Sequence, residues 1–86
     1  MSIFFVLTFE IMISEESFLI NIGTHIRKLR EKNNLSQQNL ADISDLPKTT
    51  IGRIERAEIN TTIRTLVKIA NALEVEPKEI LNFSSK

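Results

Sequence analysis

The stretch that decides the fold runs from Leu35 to Arg56 and reads LSQQNLADISDLPKTTIGRIER. Its spacing of apolar residues predicts two short helices joined by a tight turn at Asp45-Leu46. Ser36 is a capping residue ahead of the first helix. Pro47 suits the start of the second helix, where no amide donor is needed. The two predicted helices span residues 36–44 and 47–57.

Positive charge is concentrated around this stretch, although the whole chain has a formal net charge of zero. Between Ile22 and Lys68 nine lysines and arginines face five acids, a net charge of +4, whereas the first 21 residues carry −3. Phosphates respond to such a local patch, because the Debye length is only about 10 Å at 0.1 M salt. The outer face of the second helix is polar and cationic, and a helix of that size fits the major groove of B-form DNA. The pattern indicates either a DNA-binding helix or a solvated surface of mixed charge.

The composition limits the other classes of function. Eighty-six residues make one domain with a small core, so a partner subunit is a reasonable expectation. The absence of cysteine excludes disulfides and thiolate metal sites and favours a cytoplasmic setting. We expect His25, the single histidine, to be a surface side chain rather than a metal ligand. No catalytic Ser/His/Asp set, glycine-rich phosphate loop or pair of catalytic carboxylates is evident, so we expect no enzyme activity, no metal and no cofactor.

Residues 1–13 form an apolar N-terminal extension, which reads IFFVLTFEIMI from Ile3 onward. Its alternating apolar residues predict a β-strand. The extension is shorter than the roughly 20 residues of a membrane helix and lacks the cationic start of a secretory signal, so we expect no membrane association. A single strand cannot satisfy its own backbone, so it could pair with its copy in a second subunit. The other interpretation is that Met12 is the true start and the preceding residues are dispensable.

Three further helices complete a predicted all-α domain over residues 14–86, with five helices in total. Ser14, followed by Glu15 and Glu16, starts the first helix, which runs to about Asn33. Gly23 lies inside this helix, where glycine is less favourable than most other residues. The fourth helix follows a cap at Thr61 or Thr62, and Pro77 starts a short last helix through Asn82. The residues of the fourth helix that we expect to face inward are Ile63, Leu66, Ile69, Ala70 and Leu73.

Three segments in a fixed order carry a resemblance to a known family. They read IRKLREKNNLSQQNLA (26–41), ISDLPKTTIGRIER (43–56) and TLVKIANALEV (65–75). Together they resemble the phage-repressor/Cro-like (XRE-type) helix-turn-helix regulators over about Ile22 to Asn82. The resemblance implies a five-helix fold, a symmetric dimer, and a third helix that inserts into the major groove. The ESFL stretch at residues 16–19 and the non-glycine turn also look like controller proteins of restriction–modification systems.

The resemblance implies a set of site residues. Gln37 matches a glutamine that touches a phosphate, and Arg30 and Glu55 match a structural ion pair between the first and third helices. Arg53 is the residue that we expect to read a base, plausibly guanine, with a phosphate contact as the alternative. The other matched positions are Lys48, Thr49 and Gly52 at base edges, with Arg56 and Arg64 near the flanking backbone. Thr50, beside Thr49, is a further candidate for a DNA contact or a cap.

The chain departs from the family pattern at two informative positions. Asp45 stands in the turn where the family usually has glycine, and aspartate tolerates a left-handed backbone better than most residues do. Gly52 lies in the middle of the third helix, where a side chain is usual, and it costs about 1 kcal/mol relative to alanine. Gly52 could allow a closer approach to DNA or could be neutral drift.

Two functional hypotheses follow. The first is a sequence-specific transcriptional regulator that binds an inverted-repeat operator in double-stranded DNA as a homodimer. The alternative is an antitoxin-type interaction module that binds a partner protein through its N-terminal segment and autoregulates its operon. Self-pairing of that segment would favour the first hypothesis, and ordering on a second protein would favour the other.

Overall fold

The computed structural model describes residues 14–83, which contain no β-strand. The elements in chain order are α1 (Glu15–Lys32), α2 (Gln37–Ser44), α3 (Lys48–Glu55), α4 (Ile63–Ala72) and a 3₁₀ helix (Pro77–Leu81). The predicted all-α helix-turn-helix architecture is therefore confirmed, with α2 and α3 on either side of the turn. The strand predicted for the N-terminal extension lies outside the described residues.

The last element differs from the prediction of a fifth α-helix. Residues 77–81 form a 3₁₀ helix, in which the amide of Glu79 donates to the carbonyl of Glu76 over 2.9 Å. Five residues are too few to propagate an α-helix, and a single turn of 3₁₀ geometry is the usual outcome for so short a piece. Ile80 is fully buried, so this short element still closes one end of the core.

The core is formed by one apolar face from each helix. α3 packs between α1 and α2, and α4 packs on α2 and on the 3₁₀ helix. The inward direction predicted for Ile63 was wrong, because its side chain is 74% exposed. Ile63 is the first residue of α4 and precedes the stripe that faces the core. The buried apolar side chains are Ile22, Ile26, Leu40, Ala41, Ile51, Ile54, Ile69, Ala70, Leu73 and Ile80.

His25 has a structural role that the sequence analysis missed. Its side chain is half-buried, and Nε2 lies 2.7 Å from the carbonyl oxygen of Glu79. The imidazole ring also packs beside Phe83, with the ring centroids 5.8 Å apart. His25 thus links α1 to the end of the 3₁₀ helix, and the expectation of a surface side chain was wrong.

Gly23 permits the closest approach between two helices. α1 is unbroken over 18 residues, as predicted, although Gly23, an unfavourable residue for a helix interior, lies in its middle. A Cβ atom at this position would lie 2.5 Å from the carbonyl oxygen of Ile54 and 2.8 Å from that of Glu55. Both neighbours are backbone atoms of α3, which cannot rotate away as a side chain can. Gly23 therefore fixes how closely α1 supports the C-terminal end of α3.

The four α-helices end in the same local geometry, with a non-glycine residue in the left-handed region. At the end of α3, the amide of Glu58 donates to the carbonyl of Arg53 over 2.8 Å, and the amide of Ala57 donates to that of Ile54 over 3.0 Å. This pair of hydrogen bonds is the Schellman motif, which turns the chain sharply back across the helix end. The left-handed residues, each with φ of 58° or 59°, are Asn34, Asp45, Ala57 and Glu74.

We predict that Gly23→Ala destabilises the domain, although alanine is the better helix former. The new methyl group would have to push α3 away, and overpacking of this kind costs roughly 1–3 kcal/mol. For a domain of this size each kcal/mol corresponds to about 4–8 °C in melting temperature. Thermal unfolding followed by circular dichroism measures the loss.

Thr24→Ala is the matched control, because Thr24 is the exposed neighbour of Gly23 on the same helix. Its melting temperature should stay close to that of the parent chain. Equal melting temperatures for Gly23→Ala and Thr24→Ala would show that the helix contact at Gly23 does not limit stability.

Candidate nucleic-acid interface

α3 is amphipathic and turns its cationic side outward. Ile51, Ile54 and Glu55 are buried against the rest of the domain. Lys48 and Thr49 at its start and Arg53 near its end are exposed. The helix is thus anchored along its full length by one face while the opposite face stays open to a ligand.

A shallow groove of about 430 Å³ follows this exposed face of α3. Six of the residues predicted from the sequence line it, and one residue that was not predicted, Glu58, joins them. Thr50 and Arg64 do not line the groove; Thr50 is half-buried, and Arg64 is exposed on the first turn of α4. The lining residues are Gln37, Lys48, Thr49, Gly52, Arg53, Arg56 and Glu58.

Arg30 and Glu55, implied as a structural pair by the resemblance, contact each other in a bidentate ion pair. Arg30 Nε donates to Glu55 Oε2 over 2.7 Å, and Nη2 donates to Oε1 over 3.0 Å. The Glu55 side chain is 1% exposed and that of Arg30 is 11% exposed. The hydrogen bond that Arg30 donates to Glu55 raises the pKa of Arg30 above its ordinary value, so the arginine stays charged. Arg30 Nη1 also donates to the carbonyl of Leu35 over 2.8 Å, which ties the pair to the loop before α2.

Glu55 holds Gln37 as well. The side-chain amide of Gln37 donates to Glu55 Oε1 over 3.1 Å. Gln37 is the first residue of α2, behind a capping box in which Ser36 and Asn39 bond each other's backbone. One buried carboxylate therefore fixes a side chain on each of the two helices that flank it, and places the amide of Gln37 beside the groove.

Glu58 is the acid of this cationic groove, and it pairs with both arginines near the end of α3. Arg56 Nε donates to Glu58 Oε2 over 2.6 Å, and Arg53 Nε lies 4.0 Å from Oε1. The hydrogen bond from Arg56 lowers the pKa of Glu58, and the charges of Arg56 and Arg53 act in the same direction. Glu58 reaches this position because the Schellman turn at Ala57 folds the chain back.

Sequence analysis counted Glu58 only as one of five acids in the central segment. A signal was present, because a helix that ends at Arg56 and reverses at the next residue returns the following side chain to the last turn.

Within residues 14–83 no group of three or more His, Cys, Asp or Glu side chains could hold a metal ion. None of the helices in this range combines the length and the apolar content that crossing a membrane requires.

Comparison with known proteins adds independent findings. Residues 26–80 match the family model HTH_3, described as helix-turn-helix. The chain is 43% identical over 60 residues to the control protein C.SmaI of Serratia marcescens, covering 70% of this chain and 71% of that protein. The crystal structure of the restriction–modification controller protein C.AhdI from Aeromonas hydrophila superposes with a TM-score of 0.71 and 37% identity, covering 72% of this chain and 94% of that one.

A further solved structure resembles the chain and contains DNA. It is the tetramer of the restriction–modification controller protein C.Esp1396I in complex with its natural 35 base-pair operator. The TM-score is 0.66 with 36% identity, and the match covers 76% of this chain and 96% of that one.

We predict that Glu55→Ala and Arg30→Ala each lower the free energy of unfolding by roughly 3 kcal/mol or more, because each leaves a buried charge without its partner. Urea denaturation measures the loss. Lys78→Ala is the control, since Lys78 pairs with Glu76 at 78% and 70% exposure. It should change stability by less than about 0.5 kcal/mol. Unfolding free energies for all three variants within that margin of the parent would remove the ion pair from the account of stability.

Proposed function

This chain belongs to the helix-turn-helix family, and we propose from that premise that it is a transcriptional regulator that binds a specific sequence in double-stranded DNA. The observation that carries the proposal is the outward cationic face of α3 above a buried apolar face. An α-helix with its side chains is about 10–12 Å in diameter, which fits the roughly 12 Å width of the major groove.

The charges on the groove support DNA as the ligand. Lys48, Arg53 and Arg56 face it, and the acid beside them, Glu58, is engaged by both arginines. The N-terminus of α2 lies at the same groove with Gln37, whose backbone and side-chain donors suit a phosphate oxygen. α3 would then read bases while the start of α2 fixes the protein on the backbone.

We assign the contacts by the length and chemistry of each side chain. Arg53 reads a base edge, because its exposed guanidinium can donate two parallel hydrogen bonds to guanine. Lys48, Thr49 and Thr50 are at the start of α3, where they suit either a base edge or a phosphate. Arg64, on the first turn of α4, suits the flanking backbone.

We propose that the functional unit is a homodimer on an inverted repeat, with half-sites about one helical turn apart. The support is an apolar recess of about 200 Å³ between α1, α4 and the chain that follows α3. Two exposed apolar side chains, Ile63 at 74% and Leu81 at 46%, lie on its rim. The similar protein C.Esp1396I binds its operator as a tetramer, which supports the assembly of more than one subunit on DNA.

The similarity to C.SmaI and C.AhdI favours a controller of a restriction–modification system as the biological role. We accordingly assign no catalytic activity or cofactor to the chain and place it in the cytoplasm, where such a regulator meets its operator. The strand pairing of residues 3–13 and the antitoxin hypothesis both concern the N-terminal extension, outside the described residues. Both stay predictions, and no described contact favours the antitoxin over the regulator.

Selection of bound sequences from random duplexes tests the proposal directly. We expect recovery of a two-fold symmetric motif, whose spacing gives the dimer geometry. Binding to that motif should weaken steeply as salt increases, because phosphate contacts release counterions. Failure to enrich any sequence at low salt would overturn the proposed function.

We predict different outcomes for Arg53→Ala and Gln37→Ala in titrations of the selected motif. Arg53→Ala should lose about 1–3 kcal/mol on the best site and relax preference at one base position. Gln37→Ala should weaken all sequences to a similar extent and leave the motif unchanged, since a phosphate contact carries no sequence information. A shifted motif for Gln37→Ala, or uniform weakening for Arg53→Ala, would reverse the assigned roles.

We predict that Ile63→Glu raises the dimer dissociation constant about tenfold or more, because a charge cannot be buried in an apolar interface at low cost. Analytical ultracentrifugation measures the constant. Ile43→Glu is the control, because Ile43 is also an isoleucine exposed by more than half, at 58%, but lies away from the recess. Equal dissociation constants for the two variants would place the subunit interface elsewhere.

A further inference from the structure

Gly52 has no side chain, and the space that a side chain would fill there is occupied by the guanidinium of Arg56. Gly52 lies in the centre of α3 on the groove, and a Cβ atom there would be 2.9 Å from Arg56 Nη1 and 3.6 Å from Cζ. The guanidinium of Arg56 therefore lies over the backbone of Gly52, where a side chain would otherwise stand. The geometry follows from helix periodicity, since a side chain at the helix end points back over the residue four positions before it.

This arrangement differs from the flanking position that the family resemblance implied for Arg56. Arg56 is the C-terminal cap of α3, yet its guanidinium reaches the middle of the helix next to Gln37 and Arg53. Oε1 of Gln37 would lie 3.5 Å from the same added Cβ atom. The charged end of Arg56 is thus at the centre of the proposed DNA-contacting groove rather than at its edge.

Glu58 holds Arg56 by one edge and leaves the other edge free. The carboxylate accepts from Nε over 2.6 Å and from Nη2 over 3.4 Å, which occupies the side of the guanidinium. Nη1 makes no hydrogen bond to any residue within 14–83, and Nη2 has a second hydrogen that points away from Glu58. The end of the guanidinium therefore presents a parallel pair of donors, which is the geometry that two adjacent acceptors on guanine require.

We propose that Arg56 is a second specificity-determining residue, positioned by the empty surface of Gly52 and by the carboxylate of Glu58 to read guanine O6 and N7. The inference rests on the proposed DNA-binding function and adds a base contact to it. Gly52 leaves space for the guanidinium of Arg56, Glu58 orients that guanidinium, and Arg56 donates the hydrogen bonds to the base. A preorganised arginine loses less side-chain freedom on binding than a free one does, so the same two hydrogen bonds yield more affinity.

The glycine is informative because helix propensity disfavours it at this position. An alanine at position 52 would fit only if the flexible end of Arg56 moved by a small distance. That movement would displace the guanidinium of Arg56 from its place in the groove. The substitution Gly52→Ala should therefore separate folding from recognition, because it improves the helix and disturbs the proposed reader.

The decisive experiment is a double-mutant cycle on DNA binding with Gly52→Ala, Arg56→Ala and the combined variant. Each protein is titrated against the motif selected by the parent chain and against single-base changes of it. We expect Gly52→Ala to weaken the best site about tenfold and to relax preference at one guanine, while its melting temperature equals or exceeds that of the parent. In the Arg56→Ala background, Gly52→Ala should have no further effect.

Two results of this cycle would overturn the inference. An equal loss from Gly52→Ala with and without Arg56 would show that the glycine itself lets DNA approach α3. Uniform weakening of every sequence by Arg56→Ala would make Arg56 a phosphate contact. Arg56→Lys distinguishes these chemistries further, because lysine keeps the charge but lacks the paired donors. It should leave the base preference relaxed, and full recovery of specificity with lysine would contradict a fork-shaped contact.

Glu58→Gln tests the orienting role. We expect it to relax preference at the same guanine while binding to unrelated sequences strengthens, because one negative charge leaves the groove. Glu76→Gln is the control, since it removes an exposed acid that likewise pairs with a nearby cation, Lys78, but does not line the groove. Unchanged preference at that guanine in Glu58→Gln would remove Glu58 from the inference. The proposed function fails separately, since it requires only that the parent chain select a motif.

Discussion

The buried carboxylate of Glu55 is the interaction on which the arrangement of this domain depends. It accepts hydrogen bonds from Arg30 on α1 and from Gln37 at the start of α2, and it belongs to α3 itself. Arg30 extends the connection to the loop between α1 and α2 through the carbonyl of Leu35. A buried charge is stable only when such partners are complete. The position of α3 relative to the other two helices is therefore set by polar geometry as well as by packing.

The two supports of α3 act at the same end of the helix. Gly23 lets the backbone of α1 lie against the carbonyls of Ile54 and Glu55, while Arg30 holds the side chain of Glu55 from the same helix. Apolar packing of Ile51 and Ile54 fills the space between them. α3 has only eight residues and would not be stable in isolation. α3 is supported by α1, which spans 18 residues and packs against it.

Local signals in the sequence were sufficient to predict α1 to α4 and the turn between α2 and α3, but not the 3₁₀ geometry of residues 77–81. Ser36 and Pro47 marked the helix starts, and Asp45 takes the left-handed conformation that was expected of it. The features that were missed depend on tertiary contacts, which periodicity does not encode. Gly23 was treated as a weak point, and its value as a contact appears only when the backbone of α3 is placed beside it.

The candidate site likewise contains residues that helix periodicity predicts and one, Glu58, that it does not. Lys48, Thr49 and Arg53 lie on the side of α3 opposite its apolar residues, so helix periodicity was sufficient to predict their exposure. Glu58 lies outside the helix, and it reaches the arginines only because the chain reverses at Ala57. The chain has two glycines, and both lie inside helices, whereas the helix ends that usually attract glycine carry other residues. Each of the four residues at those helix ends has a left-handed backbone conformation that costs an L-residue roughly 1–2 kcal/mol, with asparagine and aspartate at the lower end.

Because its helix ends carry residues other than glycine, the chain could still gain stability through glycine substitutions at those positions. None of the four left-handed residues lines the groove that α3 presents, and three of them, Asn34, Asp45 and Glu74, also have no neighbour in the chain that lines it. A replacement by glycine at any of them would relieve the backbone without altering the contact surface. Stability recovered there could offset losses from destabilising substitutions on α3. Glycine substitutions at the helix ends could therefore keep the domain folded while residues on α3 change and the preferred DNA sequence changes with them.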